Sequence, residues 1–365
     1  MKRFTLLVLM LLAGRSAAQT LEQADVFPFG MDGVKVYRIP GLLVTPKGTL
    51  LAYCEARRDG KSDWGEIEVR LRRSVDGGTT WSAATQLGHH GPRLEGNPRK
   101  KTGGEKEQTV NNPVMVADRE TGVITLLYCV NYARAFLCRS TDDGLTWSAP
   151  AEITAVFEPF RKYQDWKVIA TGPGHGIQLK SGPKAGRLVI PFNSQDAKKN
   201  FYNWVAYSDD AGATWKRGEK VPQTETIQLN EVQVAESAGG GLYLNSRSWR
   251  RGSSLRKVSW SQDAGETWTQ AAEDAVLTDP ICQGSLLRLD DRTIAFLNAA
   301  GPKRANGTLR LTHDDGRTWA SSRLTFPGPF AYSSMALLKD GRIGVLYEPA
   351  SNTVVKFRAI DPAGR

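Results

Sequence analysis

SVDGGTTW, residues 74–81, sets an aspartate among glycines and closes on a tryptophan. Alone, it reads as a catalytic loop. The same frame returns as STDDGLTW (140–147), SDDAGATW (208–215), SQDAGETW (261–268) and THDDGRTW (312–319). Five of the ten tryptophans, Trp81, Trp147, Trp215, Trp268 and Trp319, stand at its last position. A catalytic aspartate is needed once, so fivefold recurrence points to structure. The local chemistry agrees. An aspartate carboxylate accepts backbone N–H bonds across the following turn, and glycine supplies a positive φ without steric cost. The indole offers a large apolar ring to pack between sheets. Asp76, Asp142, Asp209, Asp263 and Asp314 are therefore read as turn-forming residues.

The boxes start at 74, 140, 208, 261 and 312, and repeats at such spacing indicate a modular architecture. Between them lie runs such as KVYRIPGLLVT (35–45), TLLAYCEAR (49–57), VITLLYCVNY (123–132), GLYLNSRS (241–248) and RIGVLYEP (342–349). They are rich in β-branched, aromatic and leucine residues and end in turn formers, which marks short strands. No long helical period occurs. About four strands per interval fit the blades of a β-propeller. The segment 330–360 after the last box supplies further strands, and an N-terminal strand closing the ring brings the expected count to six blades.

Composition narrows the setting. Lysine and arginine number 48 against 38 acidic residues, for a formal charge of +10. That balance favours acidic partners without separating nucleic acid from an anionic sugar. The densest basic patch, Arg99-Lys100-Lys101, reads as a solvated loop and not as a nucleic-acid arm. At the N-terminus, Lys2 and Arg3 precede the apolar run FTLLVLMLLAG (4–14) and the small residues Ser16 and Ala18. This pattern is that of a signal peptide over residues 1–18, too short to span a bilayer of about 30 Å. The expectation is one propeller over 19–365, secreted or periplasmic, without a membrane anchor and monomeric. Cys54, Cys129, Cys138 and Cys282 show no metal-ligand spacing. Cys129 and Cys138 flank a hairpin, which leaves a disulfide and buried free thiols both open. The four histidines form no i, i+3 or i, i+4 pair, so no metal is expected.

Outside the boxes, unusual polar residues gather in five places: Arg38 in YRIP, EARRDGKSDWG (55–65), NEVQVAES (230–237) with LNSRSW (244–249), GPKRANG (301–307), and FAYSS (330–334) with LYEP (346–349). Together with the five boxes they resemble the exo-α-sialidases (neuraminidases) of the bacterial and animal type, six-bladed propellers with Asp-box turns. The resemblance runs over roughly residues 30–358. It implies that sialylated glycans are the partners and that no cofactor is required.

The resemblance also assigns roles, and each has a physical reason. Sialic acid carries a carboxylate on its anomeric carbon, which planar guanidinium groups suit through bidentate, charge-assisted bonds. Arg38, Arg247 and Arg304 match the family's three arginines, and Glu348 matches the glutamate that balances the first. An anionic nucleophile would approach a carbon already bearing a negative group. Sialidases accordingly use a tyrosine, a phenol whose ordinary pKa near 10 demands a neighbouring base. Tyr332 matches that nucleophile and Glu231 its base. Asp63 in SDWG matches the acid/base, with Asp59 as the local competitor. Arg57, favoured over Arg58, matches a residue on the sugar's 4-hydroxyl side. The family often has aspartate-proline where this chain has Asn112-Pro113, which puts preference around that position in question. The loop GPGHGIQL (172–179) receives no specific chemistry, and the sequon at Asn306 is read as chance. The polar insert 88–109 is expected to be a mobile loop near the pocket. A lectin-like propeller, a transferase or intramolecular sialidase, and a hydrolase of a modified nonulosonic acid are the alternatives.

Overall fold

The computed structural model describes residues 23–364, except 59, 61, 89–93, 95–107, 250–253 and 350–353. The signal segment, Asp59 and most of the 88–109 insert lie outside the described residues. The described chain folds into six sheets, antiparallel except where the short strand Gly174–His175 adds in parallel to one of them. Blade I comprises Val36–Val44, Leu50–Arg57, Ile67–Ser74 and Thr85–Leu87; blade II comprises Val110–Ala117, Ile124–Val130, Arg134–Ser140 and Ala151–Glu152. Blade III comprises Trp166–Thr171, Leu188–Asp196, Phe201–Ser208 and Lys216–Arg217; blade IV comprises Leu229–Glu236, Leu242–Ser248, Leu255–Ser261 and Ala272–Thr278. Blade V comprises Gly284–Arg288, Ile294–Ala299, Ala305–Thr312 and Ser321–Pro329. Blade VI takes Ser333–Leu337, Ile343–Tyr347 and Val355–Ile360 from the end of the chain, and its outer strand, Ala24–Phe27, from the beginning. Ala24 faces Phe357 and Asp25 faces Lys356, so the two ends of the chain close the ring as expected.

Period-2 alternation explains how one strand serves two interfaces. All eight residues of Leu50–Arg57 are buried. Leu50, Ala52, Cys54 and Ala56 enter the cluster shared with blade VI, around Phe357 and Leu346. Leu51 and Tyr53 point the other way, towards Met115 and Tyr128 of blade II. The same alternation decides the cysteine question. Cys129 packs with Trp166 and Trp204 on one face of blade II, and Cys138 packs with Tyr53 on the other. Cys129 sits opposite Ala135 and Cys138 opposite Leu126. All four cysteines are buried free thiols.

The five boxes occupy the turn between third and fourth strands in blades I to V. In the first, Asp76 accepts from Thr80 N at 2.9 Å and from Thr80 Oγ1 at 2.6 Å. Ser74 Oγ donates to Asp76 and accepts from Gly78 N, each at 2.8 Å. Asp142, Asp263 and Asp314 repeat the pattern on Thr146, Thr267 and Thr318. Blade III requires a correction. Asp210, not Asp209, binds Thr214 N at 2.8 Å. SDDAGATW holds two consecutive aspartates, and only the third position of the frame faces the turn. Asp209 instead pairs with buried Arg187 at 2.7 Å, and Arg187 reaches Glu266 in the next blade's box at 2.9 Å. The fixed glycine has a positive φ in every copy, from +80° at Gly144 to +95° at Gly265. The tryptophans pack between blades, Trp81 edge-on against Phe357 at 5.4 Å being one case.

Strand direction then separates the two mouths of the ring. Inner strands start at one mouth, second strands return to it, and third strands leave it. The boxes that end the third strands therefore lie at the mouth opposite the inner-strand starts.

Candidate active site

The mouth without boxes collects the unrepeated residues. Arg38, Asn112 and Glu231 stand near the starts of the inner strands of blades I, II and IV, and Tyr332 directly precedes that of blade VI. Arg57 and Arg247 stand at the ends of second strands, Glu348 just beyond one, and Arg304 in the connection between second and third strands of blade V. Arg38, Arg57, Asp63, Asn112, Glu231, Arg247, Arg304 and Tyr332 line a single cleft, whose wall also includes Trp64, Tyr132, Asn193, Gln195, Phe201, Asn230 and Trp249. Every site residue expected from sequence is thus in or directly behind this cleft.

Tyr332 is its buried centre, 4 % exposed. Its hydroxyl lies 2.7 Å from both carboxylate oxygens of Glu231 and 2.7 Å from Arg247 Nη1. Arg247 Nη1 also donates to Glu231 Oε2 at 2.6 Å. Arg38 and Arg304 carry their guanidinium carbons 5.1 and 5.3 Å from the centre of the Tyr332 ring. Burial drives the phenol well above its ordinary pKa; the three arginines pull it down, and the Glu231 charge pushes it further up. A phenol so placed is protonated at neutral pH, with its hydroxyl within hydrogen-bond reach of Glu231.

Arg38 is held by Glu348, which is fully buried. The Nε–Oε1 separation is 3.4 Å, and the same oxygen accepts from Ile39 N at 2.9 Å. Ile39 has a φ of +57°, a strained value for a β-branched residue. The carboxylate that balances Arg38 also pins this irregularity within the strand Val36–Val44, as expected of a site that holds an unfavourable backbone in place. Arg304 is more open; its Nη2 donates to the carbonyl of Ile281 at 2.7 Å.

Asp63 sits on the loop after the second strand of blade I, its side chain 59 % exposed. Its Oδ1 accepts from Arg57 Nη1 at 2.6 Å and lies 3.9 Å from Arg38 Nη1. Burial would raise its pKa, but the charge and hydrogen bond of Arg57, then Arg38 and Arg247, outweigh it and hold the carboxyl below its usual range. The preference for Arg57 over Arg58 agrees with strand alternation: Arg58 turns to Glu68 at 2.6 Å. Asn112 has a φ of +51°, which asparagine tolerates. Its Oδ1 accepts from Asn111 Nδ2 at 3.1 Å and its Nδ2 donates to Thr171 O at 3.2 Å. The side chain is therefore oriented, and it brings no charge to the cleft.

Glu55 was missed. It is fully buried, takes Arg57 Nε and Nη2 on Oε2 at 2.9 and 2.7 Å, and accepts from Asn112 N on Oε1 at 2.9 Å. Burial raises its pKa, and Arg57 opposes the rise. The signal was present, because residues two apart on a strand share a face and Glu55-Ala56-Arg57 places opposite charges at that spacing. The 172–179 loop is structural: Gly174–His175 pairs in parallel with the inner strand of blade II, and Tyr53 Oη donates to Gly174 O at 2.7 Å. Among the described residues no cluster of three or more His, Cys, Asp or Glu side chains could hold a metal ion.

Fold and cleft together define a class: a six-bladed propeller that gathers guanidinium groups around a buried tyrosine–glutamate pair at one mouth. The BNR repeat-like domain family matches residues 96–345. A sialidase of Micromonospora viridifaciens is 33 % identical over 383 residues, covering 93 % of this chain and 56 % of that protein. A Bacteroides fragilis sialidase is 31 % identical, covering 91 % of this chain and 63 % of that protein. A Hadza microbial sialidase superposes with a TM-score of 0.75 at 26 % identity, over 90 % of this chain and 66 % of that one. The chain belongs to the sialidase family with BNR repeats. It spans less than two thirds of the length of these curated relatives.

Proposed function

We propose that this chain is an exo-α-sialidase that removes terminal α-linked sialic acids from glycoconjugates with retention of configuration. One observation carries the reading: the Tyr332 hydroxyl is buried between the Glu231 carboxylate and Arg247. A propeller that only bound sugars has no use for a phenol coupled to a base.

The cleft's chemistry orders the steps. Arg38, Arg247 and Arg304 seat the carboxylate next to the anomeric carbon. The ligand's charge offsets Arg38, which otherwise helps to hold Asp63 ionised, and the sugar covers the exposed side of Asp63. Both changes raise the Asp63 pKa, so it takes up a proton on binding. Asp63 then donates this proton to the glycosidic oxygen as the bond to the anomeric carbon breaks. Tyr332 Oη bonds to that carbon while its proton passes to Glu231. Because the nucleophile approaches neutral, it avoids repulsion from the substrate carboxylate. In the second step Asp63 takes a proton from water, the water oxygen displaces the tyrosine from the anomeric carbon, and Glu231 returns the proton to the phenolate. Two displacements at one carbon give net retention.

Incubation with sialyllactose, followed by NMR from the first minutes, tests the whole reading. Free sialic acid appearing first as the α-anomer is the expected product. A 2,7-anhydro sugar or a transferred sialyl group would replace hydrolysis by an intramolecular or transfer reaction. No release at all would leave a lectin.

A further inference from the structure

Residues 279–283 cross from the outer strand of blade IV to the inner strand of blade V. Asp279, at their start, is 2 % exposed and does not line the cleft. Its two carboxylate oxygens go to different places. Oδ2 accepts from Ser248 N at 2.6 Å, the amide directly after Arg247. Oδ1 accepts from Cys282 N at 3.0 Å. That second bond curls the crossover so that Ile281, at a φ of +57°, turns its carbonyl to Arg304 Nη2 at 2.7 Å. Buried Arg256 completes the network: its Nη1 lies 3.6 Å from Asp279 Oδ2 and donates to Cys282 O at 2.6 Å, and its Nε donates to Asn245 Oδ1 at 2.7 Å.

One buried carboxylate therefore joins the strand end that carries Arg247 to the turn that holds Arg304. Those arginines come from different blades, and their like charges repel. Apolar packing between blades is non-directional and does not fix where two guanidinium groups stand. Hydrogen bonds from a single carboxylate to both backbones are directional and do. We propose that Asp279 is a positioning residue that fixes the spacing of Arg247 and Arg304, and with it the selectivity of the cleft for a carboxylate over a neutral group. This inference rests on the sialoside reading above.

Two variants and a control test it. Asp279→Asn keeps the shape but turns an amide NH2 towards one of two backbone N–H donors and removes the counter-charge of Arg256. Ile281→Gly suits the positive φ and keeps the carbonyl, yet frees its direction. Asp314→Asn weakens a box turn at the opposite mouth. For each protein, inhibition constants are measured for the 2,3-unsaturated sialic acid and for its methyl ester, together with Tm. Wild type should prefer the free acid. Asp279→Asn and Ile281→Gly should shrink that preference about tenfold or more, the scale of small misplacements at a binding site, while Asp314→Asn lowers Tm and keeps it. If both crossover variants keep the wild-type ratio, whatever their Tm, the positioning role is wrong. Should Asp279→Asn fail to fold, Ile281→Gly decides alone. A wild type that does not distinguish acid from ester would overturn the sialoside reading itself, and this inference with it.

Discussion

Tyr332 and Glu231 stand 101 positions apart in the chain, yet the tyrosine hydroxyl lies 2.7 Å from both oxygens of the glutamate. The inner strands of blades IV and VI bring them together, and Arg247 Nη1 closes the triangle at 2.6 and 2.7 Å. The contact sets a carboxylate within hydrogen-bond reach of a phenol that burial keeps protonated, the arrangement that the proposed mechanism requires.

Removing the base should leave the nucleophile inert at neutral pH. Glu231→Gln is expected to lower kcat by roughly 10²- to 10⁴-fold, the usual worth of a positioned general base. Steady-state rates on an aryl sialoside measure this, and Tyr332→Phe should fall at least as far. Wild-type turnover by Tyr332→Phe would remove the covalent step.

Asp63 should reveal itself through the leaving group. A general acid assists departure of a poor leaving group such as a sugar hydroxyl and is not needed for a nitrophenolate. Asp63→Asn should therefore lose roughly 10²- to 10⁴-fold on sialyllactose and far less on a nitrophenyl sialoside in the first step. In the free enzyme Arg57 and Arg38 outweigh burial and hold its pKa below the usual value. On the proposed mechanism, bound substrate should raise it. The alkaline limb of kcat, which reports the complex, should thus lie at higher pH than that of kcat/KM, which reports the free enzyme.

Arg304→Ala should weaken binding of a carboxylate-bearing inhibitor by about 2–5 kcal/mol, the scale for truncating one partner of a charge pair. That is roughly 30- to 5,000-fold in affinity. A smaller loss by calorimetry would move Arg304 out of the carboxylate site.

The boxes should govern stability and leave catalysis alone. Asp314→Ala removes bonds to Thr318 N and Oγ1 and should cost about 1–2 kcal/mol with kcat unchanged. Hydrogen bonds from Thr80 and Thr146 hold Asp76 and Asp142 at about 2, below the ordinary 3.8. A carboxyl depressed in the folded state stabilises it above the unfolded pKa and loses that contribution as pH falls. The boxes' share of the stability should therefore be complete above about pH 4 and be lost between 4 and 2, read by circular dichroism as the difference in thermal midpoint between wild type and a variant with Asp76 and Asp142 both replaced by Asn.

The scaffold was legible because its signal repeats. Five copies of one turn, each closed by a tryptophan, exposed the blade period, and the leftover strands at the two ends implied the sixth blade. The error in the third box came from adjacency: of Asp209 and Asp210, only register with the glycine and threonine of the frame tells which faces the turn. The cleft residues were legible through the family resemblance, since no local pattern joins Arg38, Glu231 and Tyr332. Glu55 had a local sign in its charge pairing with Arg57 two positions on. Asp279 had none, because its partners, Ser248 and Cys282, meet it only through tertiary structure.

The covalent role of Tyr332 is the centre of this account, and trapping tests it most directly. A 3-fluoro sialosyl fluoride carries a good leaving group for the first step, while the fluorine at C3 disfavours the oxocarbenium-like transition state of both steps. The glycosyl-enzyme should then accumulate, and intact mass spectrometry should show one added sugar. Peptide mapping should place it on Tyr332, and incubation with excess acceptor or water should slowly release it. An adduct on Glu231 or Asp63, or steady turnover of the reagent without any adduct on Tyr332, would contradict the account.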